Sequence, residues 1–214
     1  MKTTGNTIFM TGGTSGIGLE LARRFRDLGN TVIISGRRKD LLDTIAAEDR
    51  IEGIPLDVAD PDSIAAAVET VTTQYPDLNV IVTMAGIMLE EDLRDPDHLA
   101  ASEQVIDINL LGTIRTITAF TPHLLQRTDA VILTISSGLA FVPLVMTPTY
   151  NATKAAVHSY TQSLRIQLAR FRRTGHRTGP AGRADRPAER RTGPRVDAVG
   201  RVRRRGGAAP AGPP

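Results

Sequence analysis

The sequence lacks residue types and patterns that would mark several common classes of protein. None of its 214 residues is cysteine, which excludes disulfide bonds, thiol catalysis and cysteine-ligated metals and fits a reducing, cytoplasmic compartment. No apolar run approaches the roughly 20 residues of a membrane-spanning helix. The segment after Met1 lacks the apolar core of a signal peptide. We therefore expect neither a membrane span nor a secretory leader, and a cytoplasmic location.

Acidic and large apolar residues become scarce toward the end of the chain. Residues 170–214 hold 13 of the 26 basic residues but three of the 23 acidic ones, so the rest of the chain is acidic. The last 43 residues also lack Leu, Ile, Met, Phe, Tyr and Lys. Such a segment cannot bury enough apolar surface to offset the entropy lost on ordering. The sequence predicts one folded domain over residues 1–170, followed by a disordered Arg/Gly/Pro/Ala-rich tail over residues 171–214.

Short apolar runs alternate with helical patterns along the predicted domain. This alternation indicates an α/β fold with a doubly wound parallel sheet and helices on both faces. Continuous apolar runs are typical of parallel strands, which are buried on both faces. The predicted strands are 7–10, 31–35, 51–55, 80–83 and 130–135. The predicted helices are 16–28, 39–48, 61–73, 99–127 with an interruption near Gly112, and 148–169.

A glycine-rich turn joins the first strand to the first helix. It reads Thr11-Gly-Gly-Thr-Ser-Gly-Ile-Gly18. Glycines at 12, 16 and 18 permit a tight turn and a close approach of the backbone to a pyrophosphate, which the helix N-terminus would bind. Glycines also make turns with no ligand, but the strand–turn–helix context favours a dinucleotide site. The predicted cofactor-binding residues of this turn are Gly12, Thr14, Ser15, Gly16, Ile17 and Gly18.

The end of the second strand has no acidic residue. NAD-binding folds usually place a carboxylate there to bind the ribose 2′-hydroxyl. This chain has Ser35-Gly-Arg-Arg38 instead, and a guanidinium can bind a 2′-phosphate through two hydrogen bonds. The sequence therefore predicts NADP as the cofactor, with Arg37 as a contact. The alternative is a solvated surface turn.

Tyr150 and Lys154 are four residues apart on the last predicted helix. Residues at this spacing share one helical face, so the ammonium can approach the phenol and favour its ionised form. Tyrosine could then act as a general acid or base. Ser137 follows the fifth strand, where its hydroxyl could bind a substrate carbonyl. A Tyr–Lys pair alone is commonplace and usually structural. The interpretation therefore depends on the combination of this pair with Ser137 and the glycine-rich turn.

In this combination the chain resembles the short-chain dehydrogenase/reductase family. The matching residues are Thr11, Gly12, Gly16, Gly18, Asp57, Ala85, Gly86, Asn109, Ser137, Tyr150 and Lys154, in the order of the family. The resemblance covers residues 5–170, and the segments 136–141 and 147–154 look most like the bacterial DltE-like branch. It implies a Rossmann-type fold, hydride transfer to or from a carbonyl or alcohol, and a homodimer or homotetramer built on the long helices.

The same resemblance implies roles for particular residues. Tyr150 would transfer the proton, and Lys154 would favour its ionisation and bind the nicotinamide ribose. Ser137 would position the carbonyl, and Asn109 would hold a water that links Lys154 to solvent. Cofactor contacts are expected from Asp57 and Val58 at the adenine and from the backbone of Ala85 and Gly86. The family often has asparagine where this chain has Met84, and we expect a change in stability or cofactor fit there.

The tail departs from the family more strongly. In the family a sixth strand, a substrate loop and a seventh strand follow the Tyr–Lys helix, and the sequence after Phe171 contains no such pattern. A GC-rich gene read in a shifted frame yields Arg, Gly, Pro and Ala, so we interpret the tail as a frameshift, biological or a sequencing error, from about residue 171. The alternative is a natural basic arm. Loss of the sixth strand would expose an edge of the sheet.

No metal site is predicted. The histidines at 98, 123, 158 and 176 lack ligand spacing, and Asp92, Asp95 and Asp97 form a solvated, helix-capping loop without the other features of a calcium site.

The favoured function is an NADP-dependent oxidoreductase acting on a small carbonyl or secondary alcohol. Two alternatives stay open: a dinucleotide-binding remnant without turnover, and a nucleic-acid-binding protein that uses the arginines of its tail. The tail has no aromatic residue after Phe171 to stack on bases, which counts against the second alternative.

Overall fold

The structure is a computed structural model that describes the backbone of residues 2–174 and the side chains of residues 2–169. Five parallel strands form one sheet in the order β3-β2-β1-β4-β5. They are β1 (Thr7–Thr11), β2 (Thr31–Gly36), β3 (Glu52–Pro55), β4 (Val80–Thr83) and β5 (Val131–Thr134). The predicted α/β fold with a doubly wound parallel sheet is confirmed, and each predicted strand is correct to within one residue at either end.

Helices cover both faces of this sheet. They are α1 (Gly16–Asp27), α2 (Lys39–Asp49), α3 (Pro61–Gln74), α4 (His98–Ile106), α5 (Gly112–Leu124) and α6 (Pro148–Thr174). One apolar cluster joins α1 and α2 to one face, and a second joins α3, α5 and α6 to the other. The alternation of the strand side chains explains this division, since Phe9 faces one cluster and its neighbours Ile8 and Met10 face the other.

Local sequence explains where α3 begins but not where α4 begins. Pro61 begins α3, and the carboxylate of Asp60 accepts a hydrogen bond from the Asp62 N–H at 2.9 Å, as an N-cap should. Asp97 precedes α4 but makes no capping hydrogen bond through its side chain. The prediction of a helix-capping role for the Asp92–Asp97 loop is therefore wrong for Asp97.

The predicted interruption of the long helix 99–127 is a turn of π-helix. It covers Asp107–Leu111 and separates α4 from α5. Gly112 follows it, and a β-carbon on that residue would lie 2.8 Å from the Cγ2 of Val58. The absence of a side chain at 112 therefore lets α5 pack closely on the loop after β3.

A cluster of buried asparagines closes the sheet at the amino ends of its strands. Asn30 accepts a hydrogen bond from the Asn6 N–H at 3.0 Å, and Asn79 accepts one from the Thr7 N–H at 3.0 Å. These side chains satisfy backbone N–H groups at the start of β1. The opposite, carboxyl edge carries the longer loops, and ligands bind at that edge in folds of this class.

The C-terminal end of the described chain differs from the prediction in detail. Helix α6 extends to Thr174, past the predicted end at residue 169. The rest of the tail predicted from residue 171 lies outside the described residues. The structure therefore does not test its interpretation as a frameshift. Within the described residues β5 pairs with β4 alone, and all four of its residues are half-buried.

None of the described helices combines the length and apolar character that a membrane span requires.

Candidate active site

The glycine-rich turn is packed too tightly for side chains at three of its positions, since a β-carbon on Gly13 would meet the side chain of Ile34 and those on Gly12 and Gly18 would meet backbone atoms. Gly12 has a φ of +74°, and a β-carbon there would lie 2.7 Å from the Cα of Ala85. A β-carbon on Gly18 would meet the carbonyl oxygen of Gly12 and lie 3.2 Å from the Sδ of Met84. The turn therefore brings β1, α1 and the residues after β4 into direct contact. Met84, at the position where the family often has asparagine, forms part of that contact.

The first turn of α1 keeps its backbone N–H groups available. Ser15 is the N-cap, but its side chain makes no capping hydrogen bond, and the first turn contains no acidic residue. The free N–H groups and the positive end of the helix dipole suit an anion. Together with the glycine packing, this arrangement fits the pyrophosphate of a dinucleotide. Ile17, in the same turn, is 80% exposed.

The end of β2 lies beside this turn. The N–H groups of Gly12 and Gly13 both donate to the carbonyl of Ser35, at 3.1 and 3.3 Å. A β-carbon on Gly36 would lie 2.7 Å from the side chain of Thr14. Arg37 follows directly and is exposed, as is Arg38. The side chains of Arg37 and Arg38 therefore extend from the backbone beside the glycine-rich turn. This is where the sequence predicts the 2′-phosphate of the cofactor.

Asp57 and Val58 lie in the loop after β3. The Asp57 carboxylate accepts a hydrogen bond from the Ala59 N–H at 3.0 Å, and the Asp57 N–H donates to the Ser63 hydroxyl at 3.0 Å. Val58 is buried and belongs to the core cluster with α3 and α5. This loop is thus held rigidly at the carboxyl edge of the sheet, whereas its contact with adenine stays a prediction.

Ala85 and Gly86 continue from β4 toward the last helix. The Thr11 hydroxyl oxygen accepts hydrogen bonds from the N–H groups of Met84 and Ala85, both at 3.1 Å. A β-carbon on Gly86 would lie 3.0 Å from the Asn109 Oδ1 and 3.8 Å from the Lys154 Nζ. The structure therefore brings three predicted site residues from three different segments together.

Asn109 is fully engaged by its protein neighbours. It lies in the π-helical turn, where its Oδ1 accepts from the Ile87 N–H at 2.8 Å. Its Nδ2 donates to the Ile87 carbonyl at 2.8 Å and to the Thr153 hydroxyl at 3.3 Å. These bonds join the loop after β4 to α6. The predicted water-holding role of Asn109 stays a prediction.

Tyr150 and Lys154 share one face of α6, as their spacing predicts. The Lys154 Nζ lies 5.6 Å from the centroid of the Tyr150 ring and donates to the Ile135 carbonyl at 2.9 Å. Lys154 is buried, and burial lowers the pKa of its ammonium. An ammonium has three donor protons, so two remain for other partners.

Ser137 lies in the loop after β5, next to a hydrogen bond that joins this loop to α6. The Ser136 hydroxyl donates to the Lys154 carbonyl at 2.9 Å. The Ser137 Oγ accepts from the Leu139 N–H at 3.1 Å, at the start of a short 3-10 helix over Gly138–Ala140. No hydrogen bond joins Ser137 to Tyr150 in the part of the chain that the structure describes. Ser137 therefore follows a residue that contacts Lys154, and its side chain is oriented by the 3-10 turn that it begins.

Three hydroxyl side chains support the site without having been assigned a role from the sequence. Thr11 aligns Met84 and Ala85, Ser136 ties the loop after β5 to α6, and Thr153 binds Asn109. Each stands one residue from a predicted site residue. The only signal in the sequence is a hydroxyl next to a site residue, whereas the site contact that each hydroxyl makes joins it to a residue at least 18 positions away.

No group of three or more His, Asp or Glu residues able to hold a metal ion is found in the described part of the chain. His123 instead contacts the Leu78 carbonyl, and His158 packs edge-on against Phe141. His176 lies outside the described residues.

Comparison with known proteins relates this geometry to a family. The profile of the family described as short chain dehydrogenase matches residues 6–173. The uncharacterized oxidoreductase DltE of Bacillus subtilis (strain 168) is 43% identical over 172 residues, which are 78% of this chain and 68% of DltE.

Two solved structures share the fold. A 3-ketoacyl-(acyl-carrier-protein) reductase from Brucella melitensis, complexed with NADH, is 28% identical with a TM-score of 0.73, over 80% of this chain and 72% of that one. An actinorhodin polyketide ketoreductase variant with NADPH is 29% identical with a TM-score of 0.71, over 78% of this chain and 66% of that one. The chain belongs to the short chain dehydrogenase family of oxidoreductases, and within it to the DltE-like branch.

Proposed function

We propose that this chain is an NADP-dependent oxidoreductase that transfers a hydride between nicotinamide and a carbonyl or secondary alcohol. The observation that carries the proposal is the buried Lys154 ammonium, 5.6 Å from the centroid of the Tyr150 ring on the same helical face. This pair adjoins the end of β5, from which Ser137 extends. The relatives solved with NADH and with NADPH support a nicotinamide cofactor.

Tyr150 is the group that would move the proton. In reduction its phenol donates to the carbonyl oxygen of the substrate, and in oxidation the phenolate accepts that proton back. The Lys154 ammonium stabilises the phenolate electrostatically. When bound, the nicotinamide supplies or accepts the hydride. Lys154 would hold its ribose through the ammonium protons that the Ile135 carbonyl does not use.

Ser137 would orient the substrate. Its oxygen already accepts a hydrogen bond from Leu139, so its own proton is free to donate to a carbonyl oxygen. That oxygen gains negative charge during hydride addition, and a donor in place before the reaction stabilises it. Ser137 and Tyr150 would then bind the same substrate oxygen from two different segments.

The preference for NADP would come from the end of β2. Arg37 is exposed, and the residues from Ser35 to Lys39 include no carboxylate that would repel a 2′-phosphate. Thr14 packs on Gly36, so the pyrophosphate turn and Arg37 are close enough to serve one nucleotide. A guanidinium can bind the phosphate through two parallel hydrogen bonds.

A second candidate is a remnant that binds dinucleotide without turnover. The half-buried β5, from which the chemical half of the site extends, favours it. The nucleic-acid alternative depends on arginines outside the described residues. The homodimer or homotetramer and the cytoplasmic location also remain proposals, of which sedimentation would test the first.

Cofactor binding is tested by fluorescence titration of the full chain with NADPH and NADH. We expect NADPH to bind more tightly, and Arg37→Ala to reduce the difference by about tenfold, which corresponds to one charge-assisted contact. Arg24→Ala, which removes an exposed guanidinium paired with Glu20 on α1, is the matched control. Equal affinity for both cofactors in the unchanged chain would contradict the NADP assignment.

Turnover is tested with a panel of aldehydes and ketones in the presence of NADPH. Tyr150→Phe should lower kcat by about 10²- to 10⁴-fold, the range for loss of a general acid, while NADPH affinity stays within about twofold. Tyr160→Phe makes the same change ten residues later on α6 and should keep full activity. Tight NADPH binding with no turnover on any compound would favour the remnant instead.

A further inference from the structure

Glu91 is a buried carboxylate that neither the family motifs nor the proposed mechanism uses. It lies in the loop between β4 and α4 and is 9% exposed, whereas the adjacent Glu90 and Asp92 are exposed. Its Oε2 accepts hydrogen bonds from the hydroxyls of Ser102 and Thr149, each at 2.6 Å. Its Oε1 accepts from the Thr149 N–H at 3.1 Å. Both oxygens of this acid are therefore occupied by protein donors.

These bonds join three segments at the start of α6. Ser102 belongs to α4, Thr149 is the second residue of α6, and the Glu91 N–H donates to the Met146 carbonyl at 2.9 Å. The Thr149 N–H is one of the first helical donors, which have no partner within the helix. A carboxylate at this end also stabilises the helix dipole. Glu91 thus caps α6 from a distant loop.

The charge of Glu91 is maintained despite its burial. Burial alone would raise the pKa of this carboxyl, but the hydrogen bonds from Ser102 and Thr149 together outweigh burial and hold the pKa below its usual value. His98 at the start of α4 acts in the same direction. The carboxylate is therefore ionised at neutral pH, where its hydrogen bonds are strongest.

The first turn of α6 has few other anchors on this side. The preceding loop is poorly buried, with Phe141 at 67% and Val145 at 90% exposure. Apart from Glu91, the loop is tied back by two hydrogen bonds, from the buried Thr147 hydroxyl to the Asn151 Oδ1 at 3.3 Å and from the Asn151 Nδ2 to the Leu144 carbonyl at 2.7 Å. Helix ends without partners fray readily. Tyr150 stands in this first turn, directly after Thr149.

We propose that Glu91 is a positioning residue for Tyr150. By holding the Thr149 N–H and hydroxyl, its carboxylate fixes the first turn of α6 against the loop after β4, and so fixes the phenol relative to Lys154. This inference rests on the proposed function, since it assigns Tyr150 the proton transfer. An error of about 1 Å in the position of a reacting group can lower a rate as much as 100-fold.

The test uses the full-length chain and two pairs of variants. Glu91→Gln removes the charge and one acceptor with little change of shape, and Glu90→Gln makes the same change at the exposed neighbour. Thr149→Val removes the hydroxyl but keeps the N–H, and Thr149→Ser restores a hydroxyl. The reaction probe is the aldehyde or ketone that the unchanged chain reduces fastest with NADPH.

We expect Glu91→Gln and Thr149→Val to lower kcat by about tenfold, with NADPH affinity and KM within about twofold. Glu90→Gln and Thr149→Ser should retain most of the activity. Hydrogen exchange of the peptide that covers residues 144–153, measured without cofactor, should be faster in the first two variants and unchanged in the other two.

Two results would overturn the inference. One is an unchanged kcat in both Glu91→Gln and Thr149→Val. The other is a loss of activity that only follows a lower melting temperature, with Thr149→Ser no better than Thr149→Val, since Glu91 would then serve stability alone. If the unchanged chain reduces nothing, the proposed function fails separately. In that case unchanged hydrogen exchange still overturns the positioning role, and faster exchange in the first two variants supports it.

Discussion

Strands β1 and β2 bury every residue from Ile8 to Thr11 and from Val32 to Ser35, whereas all four residues of β5 are half-buried. The central strands have a paired neighbour on each edge and helices on both faces, while β5 pairs with β4 alone within the described residues. The glycine-rich turn extends from the first region and Ser137 from the second. The two halves of the proposed site therefore rest on regions with very different amounts of packing.

The well-packed region carries the residues proposed to bind the cofactor, and the less packed region carries the residues proposed to perform the chemistry. The glycine-rich turn is defined by backbone contacts at closely packed positions, such as Gly12 against Ala85. The chemical half depends on individual side-chain bonds, including Ser136 to Lys154 and Glu91 to Thr149. We expect the first region to tolerate the loss of one hydrogen bond better than the second. We also expect it to tolerate changes of volume less well.

The largest expected effect is a difference in stability between two isoleucine truncations. Ile33→Ala on β2 removes a fully buried side chain and should lower the free energy of unfolding by about 4 kcal/mol, because a cavity remains in a closed core. Ile132→Ala on half-buried β5 should cost about 2 kcal/mol, because less apolar surface returns to water. Urea unfolding of both variants measures the difference. Equal losses would contradict the comparison.

A smaller effect is expected from adding one methyl group to either half of the site. Gly12→Ala should cost about 2 kcal/mol and weaken NADPH binding, because its φ of +74° is strained for alanine and the methyl meets the backbone of Ala85. Gly138→Ala is the matched change after β5, where no atom lies within 4 Å of the new carbon. It should change stability by less than about 1 kcal/mol. Thermal unfolding and NADPH titration would be measured on both, and a stable, tightly binding Gly12→Ala would contradict the packing argument.

The smallest effect concerns an ion pair on the well-packed side. Hydrogen bonds from Arg23, and then from Arg26, on α1 hold the pKa of the Asp49 carboxyl below its usual value. A lowered folded pKa means that this carboxylate stabilises the fold above the pKa of the unfolded chain, about 3.9, and that the contribution is lost as the pH falls through the folded value. The stability gap between the unchanged chain and Asp49→Asn should therefore shrink on acidification from about pH 7 to about pH 3. A gap that stays constant or widens in urea titrations at several pH values would show that the pair contributes nothing through its charge.

Much of the fold could be predicted because its signals are local. The apolar run 80–83 matches β4 at both ends, and Pro61 after Asp60 marks the start of α3. The interruption before Gly112 was also visible, although its π-helical form was not. The 3-10 helix over Gly138–Ala140 was missed because three residues carry too little periodicity to identify it.

The candidate site was predictable where one segment carries it and not where several segments meet. The spacing of Tyr150 and Lys154 places both on one helical face without further information. Glu91 was not identified, because an acid in an acidic loop resembles its exposed neighbours until Thr149, 58 residues later, is brought against it. Asn109 was identified by resemblance, but its bonds to Ile87 and Thr153 were not.

The sequence by itself determined the alternation of strands and helices, the steric freedom of the glycine-rich turn and the pairing of Tyr150 with Lys154. Each depends on backbone geometry or on periodicity over a few residues. Only the tertiary structure decided that Thr11 binds the Met84 and Ala85 N–H groups more than 70 residues away, and that Glu91 is buried at the start of α6. Such contacts exist only after the sheet and its helices have packed. Packing removes these polar groups from water, so that they must form hydrogen bonds with one another.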